Sequence, residues 1–450
     1  METLIQKYNV PGPRYTSYPT VPYWDTDFDY PHWEQTFKTA YHQNREQGLS
    51  LYLHLPFCES MCTFCGCHKR ITKNHAVEHP YVQAVLKEWR LYCRLFDEKP
   101  LVRELHLGGG TPTFFSPKNL EDLINGIFSL AQKSSDCDLS FEGHPNNTTR
   151  EHLQKLYDLG FRRVSFGVQD YSDRVQQAIN RVQPYSNVAR VTIWARDIGY
   201  TSVGHDIIFG LPLQGVEDVV DTIEKTRTLR PDRIAFYSYA HVPWIKGNGQ
   251  RGFKDDDIPK DGEKKILYEI GKKLLELHGY VEIGMDHFAL PSDALYAAFR
   301  SGTLHRNFMG YGTSQTKMLI GLGVSAIGDS WQAFAQNTKD LEDYHQLLEW
   351  DRLPVVKGHL LTPEDVAIRG YILDLMCRFQ TTLTDSLPLS QQKEIVEALR
   401  PMEADGLLSI ENDTVFVTES GRGFVRNICM AFDLRMKRRL PGTQLFSMTV

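Results

Sequence analysis

Leu51–Lys69 reads LYLHLPFCESMCTFCGCHK. A strand-like run, LYLHLPF, leads into a loop holding Cys58, Cys62, Cys65 and Cys67, four of the chain's eight cysteines. The first three are spaced C-x3-C-x2-C. A structural zinc usually takes four ligands, commonly as two short-spaced pairs far apart in sequence. Here one tight cluster has no matching second pair. A cubane iron–sulfur cluster also takes thiolates, usually four. Three thiolates from one loop would leave one iron open to a small molecule, as in a catalytic metal site. The residues alone leave two other readings: a zinc using Cys67 or His68 as fourth ligand, and cysteines that merely pack in an apolar loop.

Outward from this loop the pattern is strand, loop, helix, repeated. Strand-like runs fall at Ser50–Leu55, Val102–Leu107, Cys137–Phe141, Arg163–Phe166, Val203–Phe209 and Arg233–Tyr239. Helical stretches lie between them, and such alternation predicts parallel β/α units. Six units cannot close the usual eight-stranded barrel, so the expectation is an α/β fold with an open or partial barrel. Ligands then sit at the carboxyl ends of the strands. Polar residues gather there: Gly108–Pro112, Glu142–Pro145, Gly167–Asp170, Asp206 with Gly210–Pro212, and Tyr239–Pro243. Their shared position predicts one polar cavity.

Tyr8–Tyr23 holds four prolines and four tyrosines and predicts an ordered arm laid against the main domain, in which Arg14 offers a positive fork to a carboxylate. Asp261–Tyr280 reads as a long helix, followed by Val281–Phe288, VEIGMDHF. His305–Asp329 reads as a wall of the site, with GLGVSAIGD a short buried strand. Thr362, Pro363 and Asp365 predict a helix start. Two short strands, Leu407–Glu411 and Thr414–Val417, follow a second helix and give a winged-helix-like outline. Arg435–Arg439 is basic and reads as a solvated helix face, with no nucleic-acid role. The expected divisions are an arm and lead-in helix over 1–48, the partial barrel over 49–290, an extension over 291–360 and a mostly helical region over 361–450. The formal charge of -6 gives no sign of nucleic-acid binding. No apolar run of about 18 residues and no leader is visible, so a cytoplasmic protein without membrane insertion is expected. Cys93, Cys137, Cys377 and Cys429 stand singly and are expected to pack in the core.

The C-x3-C-x2-C loop resembles that of the radical S-adenosylmethionine (radical SAM) enzymes. More specific pieces are PGPRYTSYPT (Pro11–Thr20), the C-G-C at Cys65–Cys67, LHLGGGTP (Leu105–Pro112), RRVSFGVQD (Arg162–Asp170), DIIFGLP (Asp206–Pro212), GMDHFA (Gly284–Ala289), HRNFMGY (His305–Tyr311) and RNICMAFD (Arg426–Asp433). Together they resemble the oxygen-independent coproporphyrinogen III oxidase family over essentially the whole chain. The resemblance implies an incomplete (β/α)6 barrel closed by the arm and a helical, winged-helix-like C-terminal domain. It implies a [4Fe–4S] cluster on Cys58, Cys62 and Cys65, two SAM molecules, and Cys67 as a characteristic residue that is not a ligand. Tyr52 matches a tyrosine near the first SAM; Gly109, Gly110 and Thr111 match the holders of its methionine end. Glu142, Gln169, Arg181, Asp206 and Ala240 fall at cofactor-binding positions.

The implied reaction converts the ring A and ring B propionates of coproporphyrinogen III to vinyl groups in haem biosynthesis. The implied partners are an electron donor such as flavodoxin or ferredoxin and an acceptor the sequence does not identify; the implied state is a monomer. Arg14 and other arm residues are candidates for holding or covering propionates. The chain departs from the family at Gly310–Met318, GYGTSQTKM, where Gln315 is displaced by one place and Lys317 adds a charge; this bears on the second SAM. It also reads EGHP at Glu142–Pro145, without the family's aspartate. The related haem chaperones lack the arm and the C-G-C cysteine, both present here. A relative acting anaerobically on another tetrapyrrole is the other alternative.

Overall fold

Leu49, Leu51, Leu53 and Leu55 alternate with Ser50, Tyr52 and His54, and a period of two sends the leucines to one face and the polar residues to the other. In the computed structural model of the protein this stretch is strand β1 (Leu49–Leu55). Its leucines share a core with Tyr81, Val82 and Val85 of helix α1 (Glu78–Cys93). The structure describes residues 2–25, 27–244, 249–250, 252–439 and 442–449.

The unit repeats in order: β2 (Leu101–Gly109), α2 (Pro117–Ser129), β3 (Gln132–Gly143), α3 (Arg150–Asp158), β4 (Arg163–Gln169), α4 (Tyr185–Ile198), β5 (Ser202–Phe209), α5 (Val216–Leu229), β6 (Arg233–Ser238) and α6 (Asp261–Leu277). Each of β1 to β6 pairs in parallel with the next, so the six expected β/α units are present and adjacent.

The sheet continues beyond them at both edges. After α6, β7 (Val281–Gly284) and β8 (His287–Ala289) form a hairpin, with β8 antiparallel to β6. On the other edge β9 (Leu319–Leu322) runs parallel to β1. β10 (Ile327–Asp329), β11 (Ala333–Asn337) and β12 (Val355–Leu360) follow antiparallel, completing a twelve-stranded sheet. GLGVSAIGD is therefore two strands. The chain reverses between them through Gly323 at φ +100° and Ser325 at φ +64°, left-handed conformations that no extended strand holds.

The arm differs from expectation in where it lies. Tyr8, Tyr15 and Tyr18 are buried in a core shared with the C-terminal helices, rather than chiefly against the barrel. A buried tyrosine needs a partner for its hydroxyl, and Asp433 accepts from Tyr15 at 3.1 Å. The Arg426 guanidinium donates to the Pro13 and Met448 carbonyls at 3.0 Å, and to the Gly12 carbonyl. Other arm residues do reach the rest of the molecule, as when Lys357 of β12 donates to the Val21 carbonyl at 3.0 Å. Trp24 stacks on Phe334 of β11 at 5.2 Å, and Arg14 reaches Asp286 in the β7–β8 turn at 3.0 Å.

Beyond β12, helices Pro363–Arg378, Leu389–Ala404 and Val425–Phe432 surround a small sheet. That sheet has three strands, not two: Gln380–Thr382 joins Thr414–Val417, which pairs with Leu408–Glu411. Thr362 caps the first of these helices as expected, accepting from Asp365 N at 3.2 Å while the Asp365 carboxylate accepts from Thr362 N at 2.9 Å. Thr362→Ala is expected to lower stability by about 1 kcal/mol in a urea melt. The basic run is not a free solvated face. Arg435 holds Asp365 through two bonds of 2.5 and 2.7 Å, and Arg438 holds Glu364 at 2.6 Å. No helix among the described residues is long and apolar enough to cross a membrane.

Candidate active site

The even positions of β1 and their counterparts on β2 to β6 point into the lumen, where polar side chains pair beside apolar ones such as Ile208. His106 Nδ1 lies 2.8 Å from Ser140 Oγ, and Ser165 Oγ donates to Asp206 Oδ1 at 2.9 Å. Above them, at the carboxyl ends, a cavity of about 530 Å³ opens. Eleven of the thirteen expected site residues line it: Cys58, Cys62, Cys65, Cys67, Gly109, Gly110, Thr111, Glu142, Gln169, Arg181 and Asp206.

Local backbone geometry explains how they meet. The glycine run lies against the start of the cysteine loop, with Gly110 N donating to the Leu55 carbonyl at 2.8 Å and Thr111 N to that of Phe57 at 3.0 Å. A Cβ at Gly110 would stand 2.6 Å from the Pro56 carbonyl, which is backbone and cannot swing aside. Gly110→Val is expected to weaken SAM binding at least ten-fold while iron content stays near wild type, read by isothermal titration and iron assay. At the end of β4 the register shifts between Gly167 and Gln169, and Gln169 takes φ +67°. This bulge re-aims the strand end. Arg181 Nη2 is fixed on the Gly167 carbonyl at 2.7 Å, placing Nη1 3.8 Å from Cys62 Sγ.

The remaining two expected residues lie outside the described wall. Tyr52 is adjacent to it: its hydroxyl meets His54 Nδ1 at 3.0 Å and its ring stacks on His106 at 6.2 Å. Ala240 lies past the end of β6, with its carbonyl accepting from Gln250 Nε2 at 3.0 Å. The altered Gly310–Met318 segment divides. Tyr311 lines the cavity, as does the neighbouring Met309. Gln315 turns away to donate to the Thr303 carbonyl at 2.9 Å, and Lys317 stands over the Trp331 ring.

Burial dominates the electrostatics. It pushes the Cys58 thiol up to about 11, with the Thr111 hydroxyl at 3.3 Å opposing. Burial, then the Glu142 charge, raises the Asp206 carboxyl to about 7. Burial brings His54 down to about 4. The same two causes as for Asp206 hold the Tyr52 phenol well above its ordinary value, so it stays protonated. Cys65 is shifted the other way, favoured as thiolate by a hydrogen bond from Cys67 and by Lys69.

Among the described residues no three Cys, His, Asp or Glu side chains close around a single point as a metal cage does. The donor chemistry fits a cubane cluster nonetheless. Three soft thiols from one loop share a cavity wall, with Arg181 and Lys69 beside them to offset thiolate charge.

The radical SAM superfamily model matches residues 52–226. The oxygen-independent coproporphyrinogen III oxidase of Helicobacter pylori (strain ATCC 700392 / 26695) is 38% identical over 457 residues, covering 99% of this chain and 98% of its own. That of Escherichia coli (strain K12) is 38% identical over 448 residues, with coverage of 97% and 96%. The chain belongs to the oxygen-independent coproporphyrinogen III oxidase family. Among solved structures, the coproporphyrinogen III oxidase from Escherichia coli, described as a radical SAM enzyme, matches with TM-score 0.90 and 36% identity over 97% of this chain and 99% of its own.

Within this oxidase-family cavity the structure adds residues that sequence reasoning missed. His106, Ser140 and Ser165 line it and were findable, since each sits two positions from a residue already chosen on the same strand face. Tyr237 and His287 also line it, His287 from a segment beyond the sixth unit where no periodicity points inward; Tyr311 and Met309 come from His305–Asp329, the stretch expected to form a wall.

Proposed function

We propose that the chain catalyses the oxygen-independent oxidative decarboxylation of coproporphyrinogen III, converting the ring A and ring B propionates to vinyl groups and giving protoporphyrinogen IX. Each vinyl requires loss of a hydrogen atom from the propionate β-carbon, one carbon dioxide and one further electron to an acceptor. The observation that carries this reading is full-length kinship to the oxidases combined with a cavity of mixed polar and apolar lining that has the cysteine loop as one wall.

A cluster on Cys58, Cys62 and Cys65 with SAM on its open iron supplies, when bound, the 5'-deoxyadenosyl radical that removes the hydrogen. The chain's own residues bind and orient. Gly109 and Gly110 let backbone approach the methionine end of SAM, and Thr111 adds a hydroxyl. Glu142 and Asp206 suit ribose hydroxyls or an ammonium group, and Arg181 suits a carboxylate. Tyr52, kept as a phenol, donates a hydrogen bond without accepting charge. The sheet and its helices exclude water and reductants from the lumen, which positions the substrate carbon and protects the radical. Arg14 is a weaker candidate for a propionate, because Asp286 and the Ser238 carbonyl already occupy it. A second SAM rests on Met309 and Tyr311 rather than on Gln315 or Lys317. Flavodoxin or ferredoxin suits the donor role.

The test is anaerobic. Cluster-reconstituted protein is given coproporphyrinogen III, SAM, a reductant and cell extract as acceptor, and products are followed by mass. The expected result is loss of two carbon dioxide units with 5'-deoxyadenosine and methionine formed. SAM cleavage with an intact tetra-propionate product, or with an opened macrocycle, would overturn it.

A further inference from the structure

Each of the three cysteines assigned to the cluster faces a hydrogen-bond donor from outside that set. Thr111 Oγ1 lies 3.3 Å from Cys58 Sγ. A ligating cysteine has lost its proton, so in that pair the hydroxyl must donate. Arg181 Nη1 donates to Cys62 Sγ at 3.8 Å. Cys67 keeps its proton and donates it to the Cys65 sulfur.

The donors come from three separate parts of the chain, and the fold fixes each of them. Thr111 follows β2, and its N–H is held on the carbonyl of Phe57, the residue before Cys58, at 3.0 Å. Arg181 stands between β4 and α4, anchored on the Gly167 carbonyl at 2.7 Å. Cys67 is two residues beyond Cys65, and Lys69 Nζ clasps both of their carbonyls, at 3.1 and 3.4 Å. Thr111 and Cys62 are buried, so water competes little for the bonds they make.

Ligand sulfurs share the charge of an iron–sulfur cluster, and reduction adds one electron to it. A donor facing such a sulfur stabilises the reduced form more than the oxidised one, most strongly where the dielectric is low. Hydrogen bonds to the sulfurs are among the factors that set the potential of these clusters. We propose that Thr111, Arg181 and Cys67 act as one set, a donor for each ligand sulfur, that raises the reduction potential of the cluster so that a one-electron carrier such as flavodoxin or ferredoxin can reduce it. The proposal rests on Cys58, Cys62 and Cys65 being the ligands, and gives Thr111 and Arg181 a role besides contact with SAM.

The midpoint potential of full-length, cluster-reconstituted protein is measured without SAM, by anaerobic titration with dithionite and mediators, and the reduced cluster is read by electron paramagnetic resonance. Thr111→Val, Cys67→Ala and Arg181→Gln are each expected to keep iron near wild type and to lower the equilibrium constant for reduction about ten-fold, which for one electron is about 59 mV. Thr111→Ser, which keeps the hydroxyl, is expected to hold the wild-type potential. So is Ser140→Ala, in the same cavity but bonded to His106 rather than to a cysteine. Should one variant lose its iron, the other two are read in the same way. An unmoved potential in Thr111→Val or Cys67→Ala with iron retained, or an equal shift in Ser140→Ala, overturns the proposal. Reconstituted wild type that holds no four-iron cluster overturns the ligand assignment and the proposal with it.

Discussion

Cys62→Ala is expected to leave a folded protein that retains little iron and makes no vinyl product. Two thiols cannot hold a cubane on three corners. Loss of supporting outer-shell contacts alone costs roughly 10- to 100-fold in metal affinity, and loss of a ligand costs more. Cys62 is buried and Arg181 Nη1 stands 3.8 Å from its sulfur, so the variant also leaves that cation without the thiolate it faces. Cys67→Ala is the contrast. Cys67 lines the same cavity and hydrogen-bonds Cys65, but stands outside the proposed ligand set, so its variant should keep iron near wild type. Iron content and the visible absorbance of the reconstituted proteins decide the matter. Iron kept in Cys62→Ala and lost in Cys67→Ala would move the ligand assignment by one cysteine.

Glu88→Ala is expected to cost about 3 to 5 kcal/mol of stability. Glu88 is fully buried in α1, and its carboxyl accepts from Gly323 N at 2.8 Å, Tyr344 OH at 2.6 Å and Asn337 Nδ2 at 2.7 Å. Alanine would leave the Gly323 N–H and the Tyr344 hydroxyl without a partner and Asn337 Nδ2 with only its bond to the Gly323 carbonyl, each lost bond worth roughly 1 to 3 kcal/mol. These bonds hold α1 to the end of β9 and to β11. Burial raises the Glu88 pKa from 4.5 to about 7. Between those values the folded state keeps a proton that the unfolded chain has lost, so this group's contribution to stability falls as pH rises through that window. The loss is on the order of 3 kcal/mol and is complete above about pH 7. Urea melts at pH 5 and pH 7.5 should therefore differ less in Glu88→Gln than in wild type. An alanine variant costing under about 1 kcal/mol, or an unchanged pH difference in the glutamine variant, would refute this account.

How much of this was legible beforehand depended on the range of the interactions. Strand β1 was readable because its leucines alternate with polar residues, and β2 to β6 as short apolar runs set between helical stretches. The glycines after β2 and the carboxylates on β3 and β5 were readable as strand-end residues, and they line the cavity. Strand β9 was not, because its place beside β1 is fixed by pairing from Ser50 to Leu319, a contact no local pattern announces. The reversal at Gly323–Ser325 needed φ values that GLGVSAIGD does not display. The arm's tyrosines declared burial but not the surface; distant partners such as Asp433, Asp405, Asn427 and Arg426 direct them to the C-terminal helices. Ala240 was chosen by position alone, and position did not bring it to the described wall.

The Arg426 clasp sets an order of assembly. Pro13 and Arg426 are 413 residues apart, and residues 10 and 12 also bond residues 449 and 447 through the backbone. During synthesis the barrel strands leave the ribosome long before these partners exist. The arm is among the first segments made and among the last seated, and until then its apolar rings stay uncovered. A nascent chain halted before Arg426 should thus offer Tyr8–Trp24 to proteases and chaperones that the finished protein denies.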